Sequence, residues 1–135
     1  MNELKYKSHE EWLKQARYDL LTAKAMLKSK RYLYSVFMAH LSIEKGLKSI
    51  YAKVFKKDPE RTHNLNYLIE KISDKYELNI PIEIDEFIKY INDKSIPTRY
   101  PEDLKLILKG FNKKNSEKIY EQTSEVLKWI QKKLI

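Results

Sequence analysis

Two ionisable residues lie where a helix should carry apolar side chains, and they are the first candidates for chemistry in this chain. His40 and Glu44 stand four positions apart in a stretch, Leu33 to Phe55, whose apolar residues recur every three or four positions. On a helix they lie one turn apart on the same face. A buried ionisable group is costly unless it is paired, so Glu44 needs a core Lys or Tyr, a partner chain or a ligand. No second His/Glu pair follows at matching spacing, which favours a hydrogen-bonded pair over a metal site.

A polar loop, Glu60 to Asn64, carries the next two candidates. Arg61 and His63 immediately precede a predicted helix. The N-terminus of a helix attracts anions, so these two side chains and the free amides would suit a phosphate. The alternative is that His63 only packs across the loop.

A third candidate segment is Ser95 to Glu102, in which Arg99 and Tyr100 stand between two prolines. The prolines predict a stiff, extended conformation. There Tyr100 would stack on a base while Arg99 contacts a phosphate. Equally, Tyr100 would close the end of a helical bundle.

Helical periodicity through most of the chain predicts an all-α, up-and-down bundle of four to five helices that positions these residues. The form S-x-x-E from Ser8 is a capping box, so a first helix is expected from there to about Lys28. Leu33 to Phe55 is the central helix, and Asp58-Pro59 follows its end near Lys56. The other predicted helices are one capped by Thr62 or Asn64, one capped by Asp85, a short one from Glu102 to Lys109, and a last one starting around Asn115.

The back of the central helix is small and polar, because Ser42, Gly46 and Ser49 recur there at three- and four-residue steps. Gly costs roughly 1 kcal/mol relative to Ala inside a helix, so a close contact should compensate Gly46. That contact is either another helix of the same chain or the same face of a second copy across a two-fold axis.

Length and composition limit the number of domains and the classes of site that this chain can contain. The 135 residues predict one domain, residues 1–135, and the absence of Cys excludes disulfides and thiolate metal sites. Neither a signal peptide nor an apolar run of about 18 residues is present, so we expect a cytoplasmic protein with no membrane segment. The net charge of +8 favours nucleic acid, nucleotides or an acidic partner, or serves solubility. No Gly-rich phosphate loop or nucleophile–base motif occurs, and no cofactor is expected.

Three motifs together resemble the HEPN family, named for higher eukaryotes and prokaryotes. They are Trp12-x3-Ala16-x2-Asp19-Leu20-x2-Ala23, Phe37-x-Ala39-x4-Glu44-Lys45-Gly46-Leu47-Lys48 and Arg61-Thr62-His63-Asn64-Leu65. Gly46 and Asn64 stand where the family usually has Ala and Asp. The resemblance implies a helical bundle that commonly forms a homodimer, and a frequent partnership with a small nucleotidyltransferase in toxin–antitoxin or stress modules.

Many members of that family are metal-independent ribonucleases with an Arg-x4-6-His motif. Here no His follows any Arg by five to seven positions, so the usual acid–base group is missing. We therefore expect a module that binds nucleotide or RNA phosphate. Its candidate contacts are Lys45, Lys48, Arg61, His63, Arg99 and Tyr100. The alternative is a ribonuclease with a non-standard site, in which Arg99 and His63 come together in space.

Overall fold

Seven helices and no strand make up the part of the chain that the computed structural model describes, residues 5–135. The helices are α1 (His9–Lys28), α2 (Tyr32–Phe55), α3 (Leu65–Ser73), α4 (Ile82–Asn92), α5 (Ser95–Arg99), α6 (Leu104–Gly110) and α7 (Lys113–Lys133). The prediction of an all-α fold is confirmed. The helices outnumber the predicted four to five: the short helix expected from Glu102 to Lys109 is present as α6, and α5 was not predicted. None of the seven is long and apolar enough to cross a bilayer.

The central position of α2 follows from its wide apolar surface. It contacts α1, α7, α3 and α5, and most of its residues are buried. Its largest core side chains include Ile43, Leu47 and Ile50. The preceding helix α1 begins at the predicted cap, where the Ser8 hydroxyl accepts a hydrogen bond from the Glu11 amide at 3.1 Å.

The small face of α2 is covered by the chain itself. Ser42 and Ser49 donate hydrogen bonds to carbonyl oxygens of α1 at 2.7 and 2.8 Å. A β-carbon on Gly46 would lie 2.7 Å from Cδ1 of Ile130, so α7 occupies the space that the glycine leaves. The prediction of a two-fold interface through this face is therefore wrong, because α1 and α7 already cover it.

Two helices begin earlier than predicted. α4 starts at Ile82 instead of after Asp85, because Pro81 supplies the N-cap and its carbonyl accepts from the Asp85 amide at 2.9 Å. α7 starts at Lys113, and the side chain of Asn112 caps it. In both cases the cap lies about one turn ahead of the residue chosen from the sequence.

The segment around Arg99 also differs from its prediction. Ser95 to Arg99 forms α5 instead of an extended segment. Pro97 is the third residue of that helix, where backbone amides have no acceptor within the helix, so the missing N–H loses no hydrogen bond. The helical turn carries Arg99 back towards α2.

Candidate functional site

Glu44 lies at the centre of a cluster of basic side chains. Its carboxylate is almost fully buried, and its Oε2 lies 3.0 Å from Nζ of Lys48. Its Oε1 lies 2.7 Å from Nδ1 of His63 and 3.7 Å from Nη2 of Arg99. Glu44 is thus buried against basic groups, as its position in the apolar face of α2 predicts. We call Glu44, Lys48, His63 and Arg99 the Glu44 cluster.

Three separate elements supply the Glu44 cluster. Glu44 and Lys48 come from successive turns of α2, His63 from the loop before α3, and Arg99 from the last residue of α5. The spacing of Glu44 and Lys48 is visible in the sequence as an i, i+4 pair. The positions of His63 and Arg99 depend on how α3 and α5 pack on α2.

The loop that carries His63 is anchored by two asparagines. The side chain of Asn64 caps α3 by accepting from the Tyr67 amide at 3.1 Å. Oδ1 of Asn92, the last residue of α4, accepts from the Leu65 amide at 2.7 Å. Asn92 therefore ties the start of α3 to the end of α4 and fixes the approach of His63. Asn92 was not among the residues expected from the sequence, because nothing in a single sequence links an asparagine at a helix end to an amide 27 positions earlier.

Arg99 holds hydrogen-bond donors that the protein does not use. Its guanidinium stacks over the Phe37 ring, 4.5 Å from the ring centroid, and its side chain is 15 % exposed. Nε and Nη2 are buried and have no hydrogen-bond partner in the described part of the chain, and the Glu44 oxygen at 3.7 Å is too distant to be one. Unused buried donors of a charged group are costly, so this guanidinium favours an additional acceptor.

A cavity of about 440 Å³ lies beside Arg99, between the start of α3 and α5. We call it the α3–α5 cleft. His63, Asn64, Asn92, Arg99 and Tyr100 are among the residues that line it. The Tyr100 side chain is largely exposed, with 76 % of its surface accessible, and so does not close the end of the bundle.

His40 is close to the Glu44 cluster but is not bonded to it. It is fully buried, and neither ring nitrogen has a hydrogen-bond partner among residues 5–135. Its Nδ1 lies 4.0 Å from Oε1 of Glu44, so the predicted hydrogen bond between these two residues is wrong: Lys48 and His63 take up the carboxylate instead. Burial lowers the pKa of His40 to about 4 and outweighs the opposing effect of Glu44. The imidazole is therefore neutral at pH 7.

The structure brings together only some of the candidate phosphate contacts. His63, Arg99 and Tyr100 line the α3–α5 cleft. Lys45 lies on a different side of α2, where its Nζ is 2.8 Å from Oδ2 of Asp19 on α1. The two remaining candidates, Lys48 and Arg61, do not line the cleft: Lys48 is buried against Glu44, and Arg61 is exposed in the loop.

The chemistry of this arrangement suits an anion. The carboxylate holds Nδ1 of His63, the imidazole is 58 % exposed, and its Nε2 has no hydrogen-bond partner within residues 5–135. Glu44 balances only one of the two permanent positive charges of Lys48 and Arg99, so the cluster keeps a positive charge. No group of three or more His, Cys, Asp or Glu side chains placed to hold a metal ion occurs in the residues that the structure describes.

Comparison with known proteins relates this chain to one family and to solved structures of the same fold. The family model described as HEPN domain matches residues 9–134. The crystal structure of TT1696 from Thermus thermophilus superposes with a TM-score of 0.79 at 23% identity, covering 93% of this chain and 97% of that one. The structure of ST0689, an archaeal HEPN homologue, superposes with a TM-score of 0.74 at 20% identity, covering 96% and 99%. No curated protein matches significantly. At these identities the solved structures show the fold alone.

Proposed function

This chain belongs to the HEPN domain family, and from that premise we propose that it is a binding module whose α3–α5 cleft takes the phosphate group of a nucleotide or an RNA. The observation that carries the proposal is the Arg99 guanidinium: Arg99 lines the cleft, and its buried Nε and Nη2 lack hydrogen-bond partners among residues 5–135. A phosphate supplies acceptors in the geometry that a guanidinium fork matches.

The other residues of the cleft support the same ligand class. His63 also lines the cleft, and so does the exposed Tyr100, which follows Arg99 in the chain. Stacking of a base on an aromatic ring contributes about 1–3 kcal/mol and is tolerant of sequence. The cleft therefore favours a phosphate with an attached base over a bare anion.

The proposal is tested by titrating the protein with a nucleoside monophosphate and with a short single-stranded RNA. Arg99→Ala should weaken binding by about tenfold, since a hydrogen bond to a charged group contributes roughly 1.5–3 kcal/mol. Arg61→Ala is the matched control, because Arg61 is an exposed arginine in the neighbouring loop outside the cleft. Its affinity should change by less than about twofold.

Equal losses in the two variants would mean that binding follows overall charge and not the cleft. Absence of binding at low salt would refute the proposal. Circular dichroism of Arg99→Ala separates a lost contact from a lost fold.

A second candidate function, metal-independent cleavage of RNA, is favoured by the Glu44–His63 contact of 2.7 Å. A carboxylate that orients an imidazole is the usual arrangement of a general base. His63 would accept the proton of a 2′-hydroxyl as that oxygen bonds to the adjacent phosphorus, which breaks the P–O5′ bond and gives a 2′,3′-cyclic phosphate. The departing 5′-oxygen would take a proton from water, and Arg99 would stabilise the charge that develops on the phosphate.

Labelled RNA incubated with a chelator tests this candidate. Cleavage should be lost in both His63→Ala and Arg99→Ala and kept in Lys45→Ala, because Lys45 pairs with Asp19 away from the cleft. Intact RNA in the wild-type reaction would leave phosphate binding as the function.

A small nucleotidyltransferase is the partner that we propose for this module, and membership of the family is the support. The reading frame next to that of this chain is the informative observation. If it encodes such an enzyme, the two proteins should copurify when they are expressed together, as a toxin–antitoxin or stress module would require. Two proteins that elute separately would contradict the partnership.

A further inference from the structure

A second cavity, of about 340 Å³, lies between α5 and α6. We call it the α5–α6 cavity. Its apolar lining comes from Ile96, Pro97, Tyr100, Pro101, Leu106 and Ile107. Ile96 and Tyr100 also line the α3–α5 cleft, so the two cavities adjoin each other. A ligand that is held in the cleft can therefore extend into the α5–α6 cavity.

The polar part of the α5–α6 cavity offers acceptors of hydrogen bonds. Glu102 and Asp103 line it, and no lysine, arginine or histidine of residues 5–135 does. Pro97 and Pro101 add no backbone donor, because proline has no N–H. Carboxylates repel a phosphate, and when ionised they accept hydrogen bonds and donate none. The cavity therefore favours an apolar group that carries hydrogen-bond donors.

The two carboxylates differ in what they can offer a ligand. Oδ1 of Asp103 accepts from the Leu106 amide at 2.9 Å and so caps α6. Glu102 is exposed, and its carboxylate forms no hydrogen bond or ion pair within the described part of the chain. Glu102 can therefore accept two hydrogen bonds from one ligand, whereas one oxygen of Asp103 is already used.

Tyr100 gives the α5–α6 cavity a stacking surface. Its side chain is largely exposed, and it belongs to the lining of both cavities. Proteins that bind single-stranded nucleic acid stack bases on such aromatic rings. A planar base with donors at its edge would thus meet both the ring of Tyr100 and the carboxylate of Glu102.

Among the four bases of RNA, guanine matches this lining best. Its Watson–Crick edge carries two adjacent donors, N1–H and N2–H, which one carboxylate can accept together. Adenine and cytosine each have one amino donor beside a ring nitrogen that is an acceptor. Uracil has one N–H between two carbonyl oxygens, which a carboxylate would repel.

We propose that the α5–α6 cavity binds guanine, with the base stacked on Tyr100 and with N1–H and N2–H donating to Glu102. The phosphate of the same nucleotide lies in the α3–α5 cleft, and this part of the inference rests on the proposed function. The ligand is a guanosine phosphate, whether as a free nucleotide or within an RNA.

Titration with the four nucleoside monophosphates tests the preference for guanine. Guanosine monophosphate (GMP) should bind the wild type about tenfold more tightly than uridine monophosphate, because a bidentate contact to a base edge discriminates by about that factor. Glu102→Gln should abolish this ratio and favour adenosine monophosphate, since a glutamine amide offers one acceptor and one donor. The ratio is the readout, because loss of a negative charge alters the binding of every anion alike.

Asp103→Asn is the matched control for Glu102→Gln. It removes the same charge from the same cavity and keeps the cap of α6, because asparagine caps a helix about as well as aspartate. Its preference for GMP should equal that of the wild type. Both residues are exposed, so both variants should keep the helical circular dichroism of the wild type. A preference that survives Glu102→Gln, or that Asp103→Asn removes as fully, would overturn the role of Glu102.

Failure of guanine recognition and failure of the proposed function give different results. Equal affinities for the four monophosphates, each weakened by Arg99→Ala, would overturn guanine recognition and leave the phosphate site standing. A preference for GMP that Arg99→Ala does not weaken would support the guanine cavity and overturn the phosphate site. Binding of none of the four would overturn both.

Competition against GMP distinguishes a free nucleotide from an RNA as the source of the guanine. The competitors are a short oligouridylate that carries one guanosine and the same oligouridylate without it. Displacement of GMP by the first alone would show that the cavity takes guanosine within RNA, and displacement by neither would show that it takes the free nucleotide. Equal displacement by both would overturn guanine recognition.

Discussion

Glu44 is the residue on which the basic side chains of the site depend. Its carboxylate contacts Lys48 and His63 at hydrogen-bond distance and lies near Arg99, and all but His63 are largely buried. Removing one partner of a buried ion pair leaves an uncompensated charge in the interior. The Glu44 carboxylate therefore stabilises the fold and also positions the side chains beside the cleft.

Glu44→Gln should lower the free energy of unfolding by about 3 kcal/mol, because Lys48 and Arg99 would remain buried without a counter-charge. Urea denaturation measures this change. Glu121→Gln, at an exposed position of α7, is the control and should stay within about 0.5 kcal/mol of the wild type. Comparable effects of the two substitutions would argue against a buried cluster.

His40 should make the stability of the protein depend on pH between about 6.5 and 4. The folded protein holds this pKa at about 4, against 6.5 for the free side chain, chiefly through desolvation. In that interval the unfolded chain binds more protons than the folded one, so the free energy of unfolding falls as the pH falls. The whole effect is about 3 kcal/mol, at 1.36 kcal/mol for each pKa unit.

The measurement is the difference between the wild type and His40→Gln in urea denaturation from pH 7 to pH 4. All other residues are the same in both proteins, so the difference between the two curves isolates His40. Parallel curves would mean that folding does not lower the pKa of His40.

At the scale of the helices, the closest packing is between α2 and α7. A β-carbon at Gly46 would meet Ile130 at 2.7 Å and Leu127 at 3.1 Å, and both of those side chains are buried. The glycine permits α7 to lie directly against the helix that carries Glu44. The cluster thus depends on a contact made on the other side of α2.

Gly46→Leu should destabilise the protein by about 3 kcal/mol, because overpacking forces α2 and α7 apart. Gly110→Leu is the control, since no atom lies within 4 Å of the position that its β-carbon would take. Thermal denaturation should show a clear loss for the first variant and little change for the second. If Gly46→Leu melts with the wild type, α7 does not pack as described.

At the scale of the whole molecule, the net charge of +8 should attract polyanions over a distance, and added salt should screen this attraction. Exposed lysines attract a polyanion without selecting it, whereas the cleft places donors at one point. RNA affinity should therefore fall steeply as salt rises, because phosphate contacts release counterions. Titrations from low to physiological salt measure the slope.

Arg99→Ala should reduce the slope of log affinity against log salt concentration by about 1, the equivalent of one phosphate contact. The affinity for a nucleoside monophosphate should depend on salt much less than the affinity for RNA. An RNA affinity that is independent of salt would mean that the positive charge serves solubility alone.

The sequence by itself determined those features that depend on neighbours within a turn or two of helix. The cap at Ser8, a cap at Thr62 or Asn64, the apolar stripe of α2 and the need of Glu44 for a partner were all predicted from residue types and spacing. Such features are local, because a cap reaches three residues and a helical face repeats every three or four. The motifs that resemble the HEPN family also predicted the helical bundle.

Only the tertiary structure decided what covers α2 and what reaches Glu44. The absence of a side chain at Gly46 permits close approach of either a second chain or a helix of the same chain. In the structure, α7 of the same chain packs there. Pro97 permits an extended segment or the first turn of a helix, and the helix carries Arg99 to the carboxylate that His63 also contacts. These outcomes rest on contacts between segments far apart in the chain, which compete for the same buried surface. Their free energies are settled by packing, and periodicity within one segment carries no information about them.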